Sequence, residues 1–189
     1  MCLILFSWDN HPQYKLILAA NRDEFYERPT DPIHSWQENS NILAGKDLTG
    51  GGTWMGVSKH RNPARILQDA PSRGDLTLDF LKDAVSEENY YTEKSKTLDQ
   101  YNGFNLLVGS FNKMSYFNNV DSNYQELKKG IYGLSNAVLD TPWPKLSKAK
   151  NAFAKVVADA NPSVKQFYDI LQDKALADDA ELPQTGVPY

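Results

Sequence analysis

The only thiol in the chain stands directly behind the initiator methionine, in the opening run Met1-Cys2-Leu3-Ile4-Leu5-Phe6. Methionine aminopeptidase removes Met1 when the second residue is small. Cys2 would then lead the chain, with its own α-amine beside its own thiol. An α-amine titrates near about 7.7–8.0 and a free thiol near about 8.5, so at neutral pH the amine can serve as general base and the thiolate as nucleophile. That pairing suits attack on an amide or ester carbonyl, an acyl-enzyme, and then hydrolysis. Two plainer readings stand beside it. Cys2 is also what a strand buries as a small apolar residue, and what a membrane-associated chain uses for reversible acylation.

A second polar group follows the run Tyr14–Ala20: Asn21-Arg22-Asp23-Glu24. If the two apolar runs pair as a hairpin, the end of the second strand returns to Cys2. Asp23 could then hold the α-amine, Arg22 could favour the thiolate, and Asn21 could donate a hydrogen bond to a substrate oxygen. A solvated turn with a local Arg–carboxylate pair fits the same residues and contributes little.

These residues need elements to position them. Cys2–Trp8 reads as a buried strand and Tyr14–Ala20 as its hairpin partner, with Asp9-Asn10-His11-Pro12 as the turn. Gly50, Gly51 and Gly52 allow a tight backbone before a strand over Trp54–Ser58. Helices are predicted over Leu76–Val85, Tyr90–Gln100 and Lys145–Ala160, with Pro162 as a stop. Ser163 is placed to cap a last helix carrying Val164, Phe167, Ile170 and Leu171. A hairpin is predicted over 103–118 and a short strand over Ile131–Ser135. Strands, helices, strands, helices in that order suit an α+β layered fold, with residues 1–189 as a single domain.

Composition narrows the function classes. The 189 residues carry a net charge of -4, 41% hydrophobic and 23% charged residues, ordinary values for a globular protein and poor ones for a nucleic-acid partner. No run reaches the roughly 20 apolar residues of a membrane span, so no transmembrane segment is expected and the default location is cytoplasmic. His11, His34 and His60 are scattered without metal-ligand spacing, and one cysteine cannot build a zinc site; no metal or cofactor is expected. The loop "TGGGTW" lacks the features of a phosphate-binding or dinucleotide-binding motif. Trp54, Trp143 and Tyr132 suit an apolar cleft or the core. Glu87, Glu88, Glu93, Lys94 and Lys96 read as a solvated helix face.

The stretches "MCLILFSWDN", "YKLILAANRDEFYERPT", "LAGKDLTGGGTWMGVSK", "YNGFNLLVG" and "GIYGLSNAVLDTPWPK" together resemble the NRDE family, that of the transport and Golgi organisation protein two. The family in turn resembles the N-terminal-nucleophile (Ntn) hydrolases, closest to the cysteine branch of bile-salt hydrolases, penicillin V acylases and ceramidase-like amidases. The resemblance implies an Ntn-hydrolase-like αββα four-layer sandwich. It also implies a catalytic set of Cys2 as nucleophile, Arg22 and Asp23 as its polar partners, and Asn136 in "LSN" at the oxyanion. The branch separates its Arg and Asp by two residues, whereas Arg22 and Asp23 are adjacent. For Asn136 the residues alone also suit a turn after a strand. Asn21, Gly52 and Trp54 are the expected substrate-side residues, the last two at the mouth of the site.

The chain departs from the family pattern after Lys59, where a glycine and a strand ending in Ala-Leu-Thr-Asn are expected, and after Tyr189, where further strands are expected. Missing segments of a longer chain are the expectation. Two functions follow. The first is an amidohydrolase acting on a small amide or N-acyl compound. The second is a non-catalytic carrier of a lipid, acyl-CoA or haem-like ligand, linked to the secretory pathway or lipid handling.

Overall fold

The computed structural model describes residues 3–22, 24–59, 73–82, 85–135 and 137–173. In chain order its elements are β1 (Leu3–Trp8), β2 (Leu16–Asn21), β3 (Thr30–Ser35), β4 (Ile42–Asp47), β5 (Gly56–Ser58), α1 (Arg73–Lys82), α2 (Glu87–Lys94), β6 (Asn105–Gly109), β7 (Met114–Asn118), β8 (Tyr124–Glu126), β9 (Gly130–Leu134), α3 (Pro144–Val157) and α4 (Val164–Leu171). The chain is mixed α and β. Its described strands form three antiparallel sheets of three, β2-β1-β9, β3-β4-β5 and β6-β7-β8. Two compact units result, one from residues up to 23 and from 128 onward, the other from residues 24–127.

In the first unit β1 is the central strand, and its sequence says why. Leu3 and Leu5 are buried on one face, Phe6 and Trp8 on the other. On the first face they meet α3, whose Leu146, Ala149, Phe153 and Val157 repeat at helical spacing. Pro144 opens α3 at a position where its missing N–H costs nothing. Helix α4 starts at the expected Ser163, which forms a capping box with Gln166, and lays Phe167 against Phe153 at 5.4 Å between rings. Strand β2 lies at the edge: Ala19 is buried toward the helices, while Leu16 and Leu18 remain partly exposed. His11, in the β1–β2 turn, contacts the Asp159 carbonyl after α3 at 3.0 Å and accepts from the amides of Gln13 and Tyr14.

Gly133 marks where α3 comes closest to the sheet. A Cβ there would stand 2.8 Å from Leu146 Cδ1 and 3.5 Å from Leu5 Cδ2. Leu146 is 2% exposed and has nowhere to go. Gly133→Ala is therefore expected to lower the unfolding free energy by about 1–3 kcal/mol through overpacking. In urea titrations its loss should add less than fully to that of Leu146→Val, which makes room for the methyl.

In the second unit α1 serves two sheets at once. Leu78 and Leu81 join Trp36, Ile42 and Ala44, whereas Leu76 and Phe80 join Tyr90, Leu106, Val108 and Phe117. Tyr90 is fully buried, and its hydroxyl donates to the Leu76 carbonyl at 2.7 Å, so the largest fully buried side chain among the described residues also meets its polar need.

Several sequence expectations change here. Helix α2 begins at Glu87 because the Ser86 side chain accepts from the Asn89 amide, and it ends at Lys94 rather than near Gln100. Of its expected solvated face, Glu88, Glu93 and Lys96 are exposed, but Glu87 and Lys94 are not. Glu87 is buried at 4% exposed, and Lys94 donates to Asp79 at 2.7 Å with its ammonium 5.5 Å from the Tyr90 ring. Burial works against the Lys94 charge, but the Asp79 hydrogen bond and charge outweigh it and raise its pKa. Strands β3 and β4 were not expected. Pro32 within β3 and the register shift between Asp31 and His34 erase the alternation by which a strand is recognised. No helix among the described residues is long and apolar enough to cross a membrane.

Candidate functional site

The first unit brings three strand ends to one side of its sheet. Leu3 pairs with Asn21, the last residue of β2, and Ile4 pairs with Leu134, the last residue of β9. The start of β1 is thus flanked by the outgoing ends of both neighbours. Cys2 precedes that start in sequence, Arg22 and Asp23 follow β2, and Asn136 follows β9 by two residues. Of the four expected catalytic residues, Cys2, Asp23 and Asn136 lie outside the described residues. Arg22 is half-buried, as is Asn21, and each has a polar or electrostatic partner.

Tyr132, considered for a cleft, stacks on Phe6 at 5.2 Å, and its hydroxyl donates to the Lys128 carbonyl. Burial and then the nearby Asp140 charge push its phenol pKa up. Trp143, the other cleft candidate in this unit, packs against the α3–α4 core. Both are structural here. Two surface hollows also belong to this unit. One, of about 330 Å³, lies between α3 and α4 along Lys148, Ala152 and Asp169; the other, of about 320 Å³, borders Asp140, Thr141 and Lys150. Neither is lined by an expected site residue.

Gly52 and Trp54 belong to the second unit, on the loop between β4 and β5. One carboxylate organises that loop. Asp47 Oδ1 accepts from the amides of Thr49 and Gly50 at 3.0 and 3.1 Å, and Asp47 Oδ2 accepts from Arg28 Nε at 2.9 Å and from its terminal nitrogen at 2.7 Å. The loop also closes through its backbone, with Asp47 N–H donating to Gly52 O and Gly51 N–H to Asp47 O. Gly51 takes a left-handed φ of 72°, as the tight return requires. Burial alone would raise the Asp47 pKa, but the Arg28 hydrogen bond, the amides of Gly50 and Thr49 and the Arg28 charge hold it below the usual aspartate range. Arg28 in turn stands 3.8 Å from Glu24, so the last residue of the NRDE stretch is tied to the same network.

Gly52 is buried against the start of α1, where a Cβ would meet the Gly74 backbone at 2.7 Å. Its lack of a side chain serves that close approach. Trp54 is 42% exposed, unlike Trp36 at 4%, and its indole covers Gly45, where a Cβ would stand 2.9 Å from the ring. Trp54 is thus seated on β4 with much of its surface exposed.

Sequence reasoning missed Arg28, Asp47 and Asp140. The signal for Asp47 was present: aspartate two residues before Thr-Gly-Gly is the pattern by which a side chain caps a turn. Among the described residues no group of three or more His, Cys, Asp or Glu side chains is placed to hold a metal ion. His34 instead contacts the Pro32 carbonyl at 2.8 Å, and His60 lies outside the described residues.

A mixed α/β protein with its sole thiol just ahead of a central strand, and the NRDE stretch behind that strand's partner, is the class so defined. A family model described as Transport and Golgi organisation 2 matches residues 1–189. The mouse Transport and Golgi organization 2 homolog is 35% identical over 213 aligned positions, covering 99% of this chain and 76% of the mouse protein. The human Transport and Golgi organization protein 2 homolog gives the same 35%, 99% and 76%. The Drosophila melanogaster Transport and Golgi organization protein 2 is 29% identical, covering 92% of this chain and 73% of its own. The chain belongs to the Transport and Golgi organisation 2 family. The 213 aligned positions exceed the 189 residues, so the mouse protein has residues inside the matched range without counterparts here.

Proposed function

We propose that the chain is an N-terminal-nucleophile amidohydrolase, built as one αββα-type domain and working in the cytoplasm on a small amide or N-acyl compound. After loss of Met1, the Cys2 α-amine takes the thiol proton and the resulting thiolate attacks the carbonyl carbon. Collapse of the tetrahedral intermediate expels the amine, which receives that proton, and water then hydrolyses the thioester. Asp23 orients the α-amine, Arg22 favours the thiolate, and the Asn136 amide donates to the oxyanion, a role worth about 3–4 kcal/mol when well aimed. Asn21 makes the substrate side at this sheet end. The observation that supports this best is the register Leu3–Asn21 and Ile4–Leu134, which brings the attachment points of Cys2, Arg22 and Asn136 to one end of one sheet.

The test is hydrolysis of a panel of N-acyl amides differing in acyl length, followed by release of the free amine. Turnover of at least one member that disappears in Cys2→Ala supports the reading. Equal release by wild type and Cys2→Ala across the panel contradicts it.

A carrier function is the second reading, favoured by Phe25 and Tyr26, two strongly exposed rings directly after Glu24. Transport in the relatives' names is in keeping with it. An apolar ligand retained through purification and released by Phe25→Ser/Tyr26→Ser would support it. A preparation free of lipid and chromophore by mass spectrometry and absorbance would contradict it.

A further inference from the structure

The stretch Tyr101-Asn102-Gly103-Phe104 leads into β6 and holds the one Asn-Gly step in the sequence. Both residues of that step are exposed. Gly103 does not answer a lack of room: a Cβ on it would meet nothing within 4 Å, and its φ is not positive. Among the described residues nothing hydrogen-bonds the Asn102 side chain or the Gly103 N–H. Other asparagine side chains are engaged. Asn39, which precedes Ser40, accepts from the Asn41 amide at 3.2 Å, and Asn118 accepts from the amides of Val120 and Asp121 at 2.9 and 3.0 Å.

A single side chain clamps the backbone on both sides of the Asn-Gly step. Asn119 Oδ1 accepts from Phe104 N–H at 2.9 Å, and Asn119 Nδ2 donates to the carbonyls of Leu98, Tyr101 and Asn102 at 3.0, 3.1 and 3.4 Å. Phe104, so held, is buried with its ring edge-on to those of Tyr101 and Phe117.

We propose that Asn102–Gly103 is a self-modifying site, at which the asparagine converts to isoaspartate in the folded protein and releases the start of β6. The backbone nitrogen of Gly103 loses its proton and attacks Asn102 Cγ. The bond from Cγ to Nδ2 breaks, and ammonia leaves with that proton. Water then opens the cyclic imide: addition at the former backbone carbonyl gives isoaspartate, addition at Cγ gives aspartate. The net change is one water consumed and one ammonia released. Glycine favours the attack, because it has no Cβ to hinder it and its backbone turns freely. Isoaspartate routes the main chain through Cβ and Cγ and so adds one carbon between the Tyr101 carbonyl and the Phe104 amide. Asn119 cannot then hold both. The site acts independently of the hydrolase and carrier readings.

The test incubates the full chain in mildly alkaline and mildly acidic buffer, with products mapped by peptide mass and by enzymatic methylation of isoaspartate. Asn102 should convert ahead of every other asparagine, faster in the alkaline buffer, with isoaspartate in excess over aspartate. Gly103→Ala fits the open space, should match wild type by circular dichroism, and should convert at least about tenfold more slowly. Amide exchange at Phe104 should quicken at least about tenfold in the converted protein. Asn102→Asp adds the charge without the extra carbon and should keep that exchange within about threefold of wild type. Earlier conversion at another asparagine, equal rates in Gly103→Ala, unchanged exchange at Phe104 after conversion, or equal loosening in Asn102→Asp would overturn the proposal.

Discussion

Replacing Asp47 with alanine is expected to lower the unfolding free energy by about 2–3 kcal/mol, because one carboxylate accepts two backbone amides and the Nε and one terminal nitrogen of Arg28. The Asp47 side chain is only 13% exposed, so water does not readily replace these partners. Loss of the carboxylate leaves the Thr49 and Gly50 amides seeking acceptors and the Arg28 guanidinium without its main partner. Asp47→Asn keeps the turn acceptor and should lose about half as much. Acid dependence follows in sign from the lowered Asp47 pKa. The folded carboxyl ionises below the unfolded one, so its stabilisation is fully present above about pH 4 and is lost as pH falls through the folded value. Urea midpoints between about pH 2 and 6 should fall less steeply on the acid side for Asp47→Asn than for wild type. Identical acid limbs would show that the carboxylate does not carry this dependence.

The second large effect concerns the leading residue. Cys2→Ala is expected to reduce turnover by at least about a thousandfold, since no other thiol can replace the nucleophile. A glycine inserted between Met1 and Cys2 is the sharper variant. It keeps the thiol but gives the α-amine to another residue, and the loss of general-base assistance should slow turnover about 100–10,000-fold. If the inserted chain works as well as the natural one, the amine has no part in the chemistry. Steady-state rates on the best N-acyl substrate decide this, with circular dichroism guarding against misfolding.

Some of this architecture is written locally in the chain and some is not. The β1–β2 hairpin was legible because Leu3–Phe6 and Leu16–Ala20 are apolar runs joined by turn residues, and α4 because Ser163 and Pro162 mark its start. The join of β9 to the far side of β1 was not legible, since its pairing spans more than a hundred residues and no local pattern announces it. Strand β3 was hidden by Pro32 and its bulge, and β4 by a polar ending whose Lys46 and Asp47 serve Glu38 and Arg28 rather than a core. For the candidate site, the types and order of Cys2, Asn21, Arg22, Asp23 and Asn136 were legible through motif and resemblance. Of the supports, only Asp47 carried a local signal, in its place ahead of Thr49-Gly50-Gly51; Arg28 and Asp140 act through geometry set by loops, and such a side chain looks the same in a sequence whether it faces water or closes a turn.

The most direct measurement is the intact mass of the purified protein before and after a short exposure to limiting iodoacetamide at pH 7, with the modified site mapped by peptide sequencing. The account predicts a chain lacking Met1, with an unblocked α-amine on Cys2, a single adduct on its sulfur, and labelling much faster than that of a free cysteine peptide. A chain that retains Met1 or carries a blocked amine on Cys2, or a thiol no faster than the peptide, would contradict it.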